Sequence, residues 1–259
     1  MSRVLLLVAV LVAPAVAQEA AVLGGWALPE GAVVRSVSAV TMEGAVEGTV
    51  PINSQESEVT RTTMARVEGG RLTRAVQRIE SATSKVFVDG SRIPSDADPL
   101  LGRDVAVVRD GGGWRREPLG WRPSPEAEAE LADPVSLDDA EYPARPVAVG
   151  ETVEVGDAAL RAVYPGAVAG PHRLTVRLDS LGTFEGGPAA FLTQEVGVTV
   201  DVGEGGTMRM DMTARIVRRL DWMLDVQTEW EGPISFDYPE VSVDGTMRYL
   251  GTQTVTLPD

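Results

Sequence analysis

No cysteine occurs in the sequence. That excludes disulfide staples, thiol nucleophiles and the thiolate ligands of zinc or iron–sulfur centres. The only histidine is His172, so a metal site built from several imidazoles cannot form within one chain. A catalytic triad would have to use His172, and no Gly-x-Ser-x-Gly elbow supplies its serine. Lys85 is the only lysine, and aromatic residues make up 5 % of the chain, too few to line a sugar-binding cleft. Positive charge is scarce overall. The formal net charge is −15, a field that repels phosphate backbones and anionic lipid surfaces. Nucleic acid is therefore not an expected partner.

The chain begins with Arg3, an apolar run over residues 4–13, Pro14, and the small-residue sequence Ala15-Val16-Ala17 before Gln18. A charged start, a short apolar stretch and an Ala-x-Ala end mark a secretory leader. The run is too short for a helix that crosses a bilayer, which takes about 20 apolar residues. The expected organisation is a leader at 1–17, an N-terminal β half at 18–121, a connector at 122–146 and a C-terminal β half at 147–259. The two halves are compatible with one domain. Export to the periplasm or the extracellular medium follows, with no membrane-spanning segment. A mature chain of about 240 residues buries a core without staples.

Period-two alternation dominates, and it predicts an all-β fold: long antiparallel strands in a meander, sandwich or incomplete barrel. Leu192, Gln194, Val196, Val198, Val200 and Val202 share one side of a strand. After the turn at 203–206, Met208, Met210, Met212, Ala214 and Ile216 share one side of the next. A third strand carries Trp222, Leu224, Val226, Thr228 and Trp230 on one face. Strands are expected at 240–243 and 246–257 around an Asp244-Gly245 turn. The N-terminal half is expected to hold strands at 32–42, 58–67, 72–81 and 85–88, with Gly69-Gly70 as a turn. A hairpin at 104–109 and 114–117 turns through Asp110 to Gly113. That glycine run lacks the Gly-Lys-Ser/Thr ending of a phosphate loop.

The connector holds five prolines and many acids. Ser124-Pro125-Glu126 reads as the start of a short helix through Leu131, with serine as N-cap and proline at the first position. A second short helix is expected over 157–163.

Acid-rich turns at 95–98 and 138–141 do not match the ligand spacing of a calcium loop. No catalytic, metal or cofactor site is expected. Met208, Met210, Met212, Trp222 and Trp230 form the candidate apolar ligand face, because methionine surfaces adapt to varied apolar partners. Their plainer role is core packing.

The stretch Tyr142-Pro143-Ala144-Arg145-Pro146-Val147-Ala148-Val149-Gly150-Glu151-Thr152-Val153-Glu154-Val155 leads from prolines into V-x-V-G-(E/D)-T. With the Leu101-Gly102-Arg103-Asp104-Val105 hairpin entry, it resembles exported all-β proteins of Gram-negative bacteria of uncharacterised activity. That resemblance implies no catalytic residue. In overall plan the chain is also similar to periplasmic lipoprotein carriers of the incomplete-barrel type. Those pair the sheet with substantial helical lids, which this sequence cannot build. The expected function is a non-enzymatic binding or envelope role, with a hydrophobic small molecule or an envelope protein as partner. One alternative is a carrier of a lipid or acyl chain, and another is a hydrolase that uses paired carboxylates. Oligomeric state is left open.

Overall fold

The computed structural model describes residues 19–258 apart from 69, 70, 96, 111, 112, 134, 136, 138–140, 144, 165, 169 and 204. The expected leader, the Gly69-Gly70 turn, and parts of the 110–113 turn and both acid-rich turns lie outside the described residues. In chain order the elements are β1 (Ala20–Val22), β2 (Val33–Val46), β3 (Val50–Glu68), β4 (Arg71–Val88), β5 (Ser91–Ile93), β6 (Asp104–Asp110) and β7 (Gly113–Pro118). The helix α1 (Pro125–Ala132), β8 (Pro146–Ala148), β9 (Thr152–Glu154) and α2 (Asp157–Val163) follow. Five strands complete the chain: β10 (Arg173–Phe184), β11 (Gly187–Gly203), β12 (Gly206–Arg219), β13 (Leu224–Tyr238) and β14 (Val241–Thr256). With 68 % strand and 6 % helix, the fold is all-β.

One 12-stranded antiparallel sheet carries almost everything. Its order is β7-β6-β4-β3-β2-β14-β13-β12-β11-β10-β9, with β5 paired to β4 off this path, and it does not close into a barrel. The first long strand, β2, pairs with the last, β14, from Val33↔Thr256 to Val46↔Val243. Both halves of the chain thus belong to one sheet. Its open edges are β7 and β9, and the connector runs between them. Val135 bridges to Trp114 on β7, while the Gly150 amide donates to the Leu178 carbonyl at 2.7 Å on the other side. A small second sheet pairs β1 with β8.

The sheet curls. Val105 on β6 and Leu224 on β13 lie five strands apart, roughly 24 Å along a flat sheet, yet both line one cavity. Several devices permit the curl. Gly44 and Gly245 face each other across β2 and β14, and a Cβ on Gly44 would fall 2.3 Å from the Asp244 carbonyl oxygen. Strand backbones approach this closely only at glycine. Irregularities in register also interrupt β3–β4, β10–β11 and β12–β13. Such bulges bend a sheet and increase its twist.

Several sequence expectations change here. Asp244-Gly245 is not a turn: both residues lie inside β14, because Gly245 is needed opposite Gly44. Residues 72–81 and 85–88 form one strand, β4, whose polar middle is held by pairing to β3. Trp222 lies in the turn before β13, with positive φ at Met223. The strand β10 had no counterpart in the sequence reading beyond its start near His172. Both expected helices are present. In α1 the Ser124 hydroxyl accepts from the Ala127 amide at 3.3 Å, with Pro125 in the first turn.

Candidate functional site

Strand side chains alternate between faces, so one parity of each strand faces the inside of the curl. In the C-terminal half that inner parity is apolar and covered. Leu174, Val196, Val198, Val200, Met210, Met212 and Ile234 are buried together beneath Leu160 of α2 and Ala167 of the following loop. A neighbouring group joins Val176, Leu178, Leu192, Ala214 and Ile216 to Leu23, Tyr142 and Val147 from the N-terminal segment and connector. Met208 packs at the margin of the first group, and Trp230 touches both. Four of the five residues of the expected apolar face therefore share one surface, with α2 packed on it. Trp222 is apart from them, among Leu28, Val34, Met64 and Leu72 at one end of the N-terminal half. The Arg219 guanidinium stacks 3.9 Å from its ring centre.

In the N-terminal half the inner parity is different. Val34, Ser36, Ser38 and Val40 on β2 face the same side as Met64, Thr62, Thr60, Glu58 and Glu56 on β3. Above them lies a cavity of about 480 Å³. Its apolar end is formed by Trp26, Val34, Met64, Leu72, Leu100 and Leu224; its polar floor by Ser36, Ser38, Glu58, Thr60 and Gln253. A second cavity of about 460 Å³ adjoins it and shares Ser38, Glu58, Asp98 and Glu130, adding Glu56, Ser84 and Leu101. Together they make a trough that runs from an apolar end to an acidic one. Volumes in this range suit small ligands.

The charges along this trough are unequally matched. Arg218 is 1 % exposed and fully engaged. Its Nε donates to the Leu23 carbonyl at 2.8 Å, and its Nη1 to Asp225 Oδ1 at 2.7 Å. Its guanidinium lies 4.1 Å from the Tyr142 ring centre, and the Tyr142 hydroxyl donates to Asp225 Oδ2 at 2.7 Å. Burial and the Asp225 carboxylate push the Tyr142 phenol well above its ordinary value. This group ties the N-terminal segment, connector, β12 and β13 together. Arg116 is 14 % exposed, with Nη2 donating to the Asp133 carbonyl at 3.1 Å and Nη1 3.8 Å from Glu130. Arg103 stacks over Trp121.

Glu56 and Glu58, by contrast, have no ion-pair partner among the described residues. Glu58 accepts a hydrogen bond from the Thr60 hydroxyl. The Tyr249 ring lies over Gly251, where a Cβ would fall 2.7 Å from Tyr249 Oη. Burial and the nearby Glu58 carboxylate raise the Tyr249 phenol. Two polar atoms on the cavity wall, Gln253 Oε1 and Arg116 Nε, are shut off from solvent without a hydrogen-bond partner. Buried polar atoms are rarely left so.

The sequence reading missed Glu56, Glu58, Tyr249 and Gln253. The available signal was parity: Glu56 and Glu58 share the side of β3 that buries Met64. His172 lies elsewhere, with its ring Nε2 against the Val168 carbonyl. Neither it nor any other histidine lines the trough. Asp98 turns inward, accepting the Leu100 amide at 2.7 Å. Among the described residues no cluster of three or more potential ligands could hold a metal, and no helix is long and apolar enough to cross a membrane. Comparison with known proteins adds no relative: no family model matches the chain, and no curated protein is significantly similar to it.

Proposed function

We propose that this chain is an exported, non-enzymatic carrier that holds a small molecule with an apolar body in the trough of its N-terminal half. The observation that supports this reading most is the uneven filling of one continuous sheet face. The inner face of the C-terminal half is buried under α2 and the connector, while the N-terminal half keeps about 480 Å³ open beside a second space of similar size. A protein that only needed a core would gain by filling that space, because unfilled interior volume costs contact energy. The apolar end formed by Trp26, Met64, Leu72 and Leu100 offers the kind of surface that drives binding of hydrocarbon. The candidate face around Met210 and Met212 serves in this reading as the packed wall behind the site.

Native mass spectrometry of the protein purified gently from its own host tests the proposal. A reproducible adduct that disappears in Ser36→Trp, which fills the trough floor, is the expected result. An adduct that survives Ser36→Trp would move the site elsewhere, and a bare protein mass from several preparations would remove the carrier reading.

A further inference from the structure

We infer that the ligand of this trough bears a primary ammonium group, seated at Glu58 and Glu56 with its apolar body directed toward Trp26 and Leu100. This rests on the carrier reading above and adds the chemistry of the head group.

Among the described residues, the stretch of the trough over β3 carries two carboxylates with no cation beside them. Glu58 has both carboxylate oxygens on the inner face and a single hydrogen-bond donor, the Thr60 hydroxyl. Glu56 is two residues along the same strand face, and neither acid has a guanidinium partner among the described residues. Three cations among the described residues stand on the trough walls, and none pairs with Glu56 or Glu58: Arg218 is held by Asp225 and the Leu23 carbonyl, Arg116 by the Asp133 carbonyl and Glu130, and Arg103 lies over the Trp121 ring. Gln253 adds a second unmet acceptor, its Oε1 closed to solvent and unpartnered. An ammonium carries three N–H donors and no acceptor, which complements this set in charge and in hydrogen bonding. A carboxylate or phosphate head would meet Glu58 as a like charge. A quaternary ammonium would match the charge and leave the acceptors unmet.

The cavity is an independent observation from the acids. It supplies an apolar end next to the acceptors, so a single-chain amine can satisfy both at once. In the neighbouring space Ser38, Ser84 and Asp98 provide further oxygens around the head.

Isothermal titration with four ten-carbon probes, each kept below its micelle concentration, tests the inference. These are decylammonium, decyltrimethylammonium, decyl sulfate and decyl maltoside. Decylammonium is expected to bind most tightly, by about tenfold or more over each of the others, as a charge-assisted hydrogen bond allows. Glu58→Gln is expected to erase that preference while leaving decyl maltoside affinity and the melting temperature nearly unchanged. Glu56→Gln should weaken it less, and added salt should weaken it in wild type. Equal binding of all four probes would overturn the ammonium assignment and leave the carrier reading standing. Tighter binding of decyl sulfate would overturn it outright. Absence of binding by every probe, together with a bare native mass, would overturn both.

Discussion

The two halves of the inner face are built on the same pleat and differ in what stands on it. On β11 the inner positions read Leu192, Gln194, Val196, Val198 and Val200, and all are buried. On β3 the corresponding positions read Glu56, Glu58, Thr60, Thr62 and Met64, and burial begins only at Thr62. Apart from Gln194 the first set is apolar because α2 and the connector lie on it, and an uncovered apolar face would be a liability in water. The second set faces open space, so hydroxyls and carboxylates are tolerated there. One half of the sheet is a core, and the other is a container. Stability should therefore be concentrated in the C-terminal half, and binding in the N-terminal half.

The largest expected effect is at the tie between them. Replacing Arg218 by Met leaves the Leu23 carbonyl without its donor and the half-buried Asp225 with only the Tyr142 hydroxyl, and should cost about 3 kcal/mol in urea denaturation. The double replacement Arg218→Met with Asp225→Leu should recover much of that loss, because it removes both charges together. Next comes the direct contrast between halves. Met212→Ala should cost about 2–5 kcal/mol, whereas Ser38→Ala on the trough floor should stay within about 0.5 kcal/mol. Equal costs at these two positions would break the comparison. Gly251→Ala forces Tyr249 off its seat and should cost about 1–3 kcal/mol.

Alkaline titration adds a smaller effect. Burial pushes the Tyr164 phenol up to about 12 and Tyr142 well above its ordinary value. Unfolded tyrosine releases its proton near pH 10, so above that pH the unfolded chain binds fewer protons than the folded one. Stability is then complete below about pH 10 and declines as pH rises toward the folded values. Tyr164→Phe should flatten that decline. The smallest effect is acidic. Hydrogen bonds from Arg219 hold the Asp221 carboxyl below its usual range. Its contribution is present above the unfolded carboxyl pKa near 3.9 and is lost as pH falls through the folded value. Asp221→Asn should remove a small part of the acid sensitivity, measured by denaturation between pH 5 and 2.

The all-β class, the two helices and the pairings β3–β4, β6–β7 and β11–β12 were legible because they depend on local pattern. Alternation from Leu192 to Val202 and from Met208 to Ile216 is set by burial of one face, and Ser124-Pro125 caps α1 through contacts three residues away. What failed was whatever depends on a distant neighbour. Asp244-Gly245 has the local chemistry of a turn, yet Gly44, two hundred residues earlier in the chain, determines its use. Nothing in the local pattern marks Arg218 as buried, and only the return of Tyr142 and Leu23 shows why it is. Glu56 falls outside the strand expected at 58–67 and Glu58 only begins it. Local pattern gives no sign that they border open space, because that space is closed in part by strands from the other end of the chain.

The pairing of β2 with β14 gives the fold an unusual order of assembly. Each half is a run of local hairpins that can form as it is synthesised, but within the large sheet the two runs join through β2 and β14, strands far apart in the sequence. Such a long-range closure carries the largest loop entropy in the molecule and comes late. In topological terms the protein is a circularly permuted meander, with its two termini meeting mid-sheet and its gap at mid-sequence. Tyr249 and Gln253 belong to the strand made last. The trough is thus unfinished until β14 is made and paired with β2, so a molecule held there would report a completed sheet.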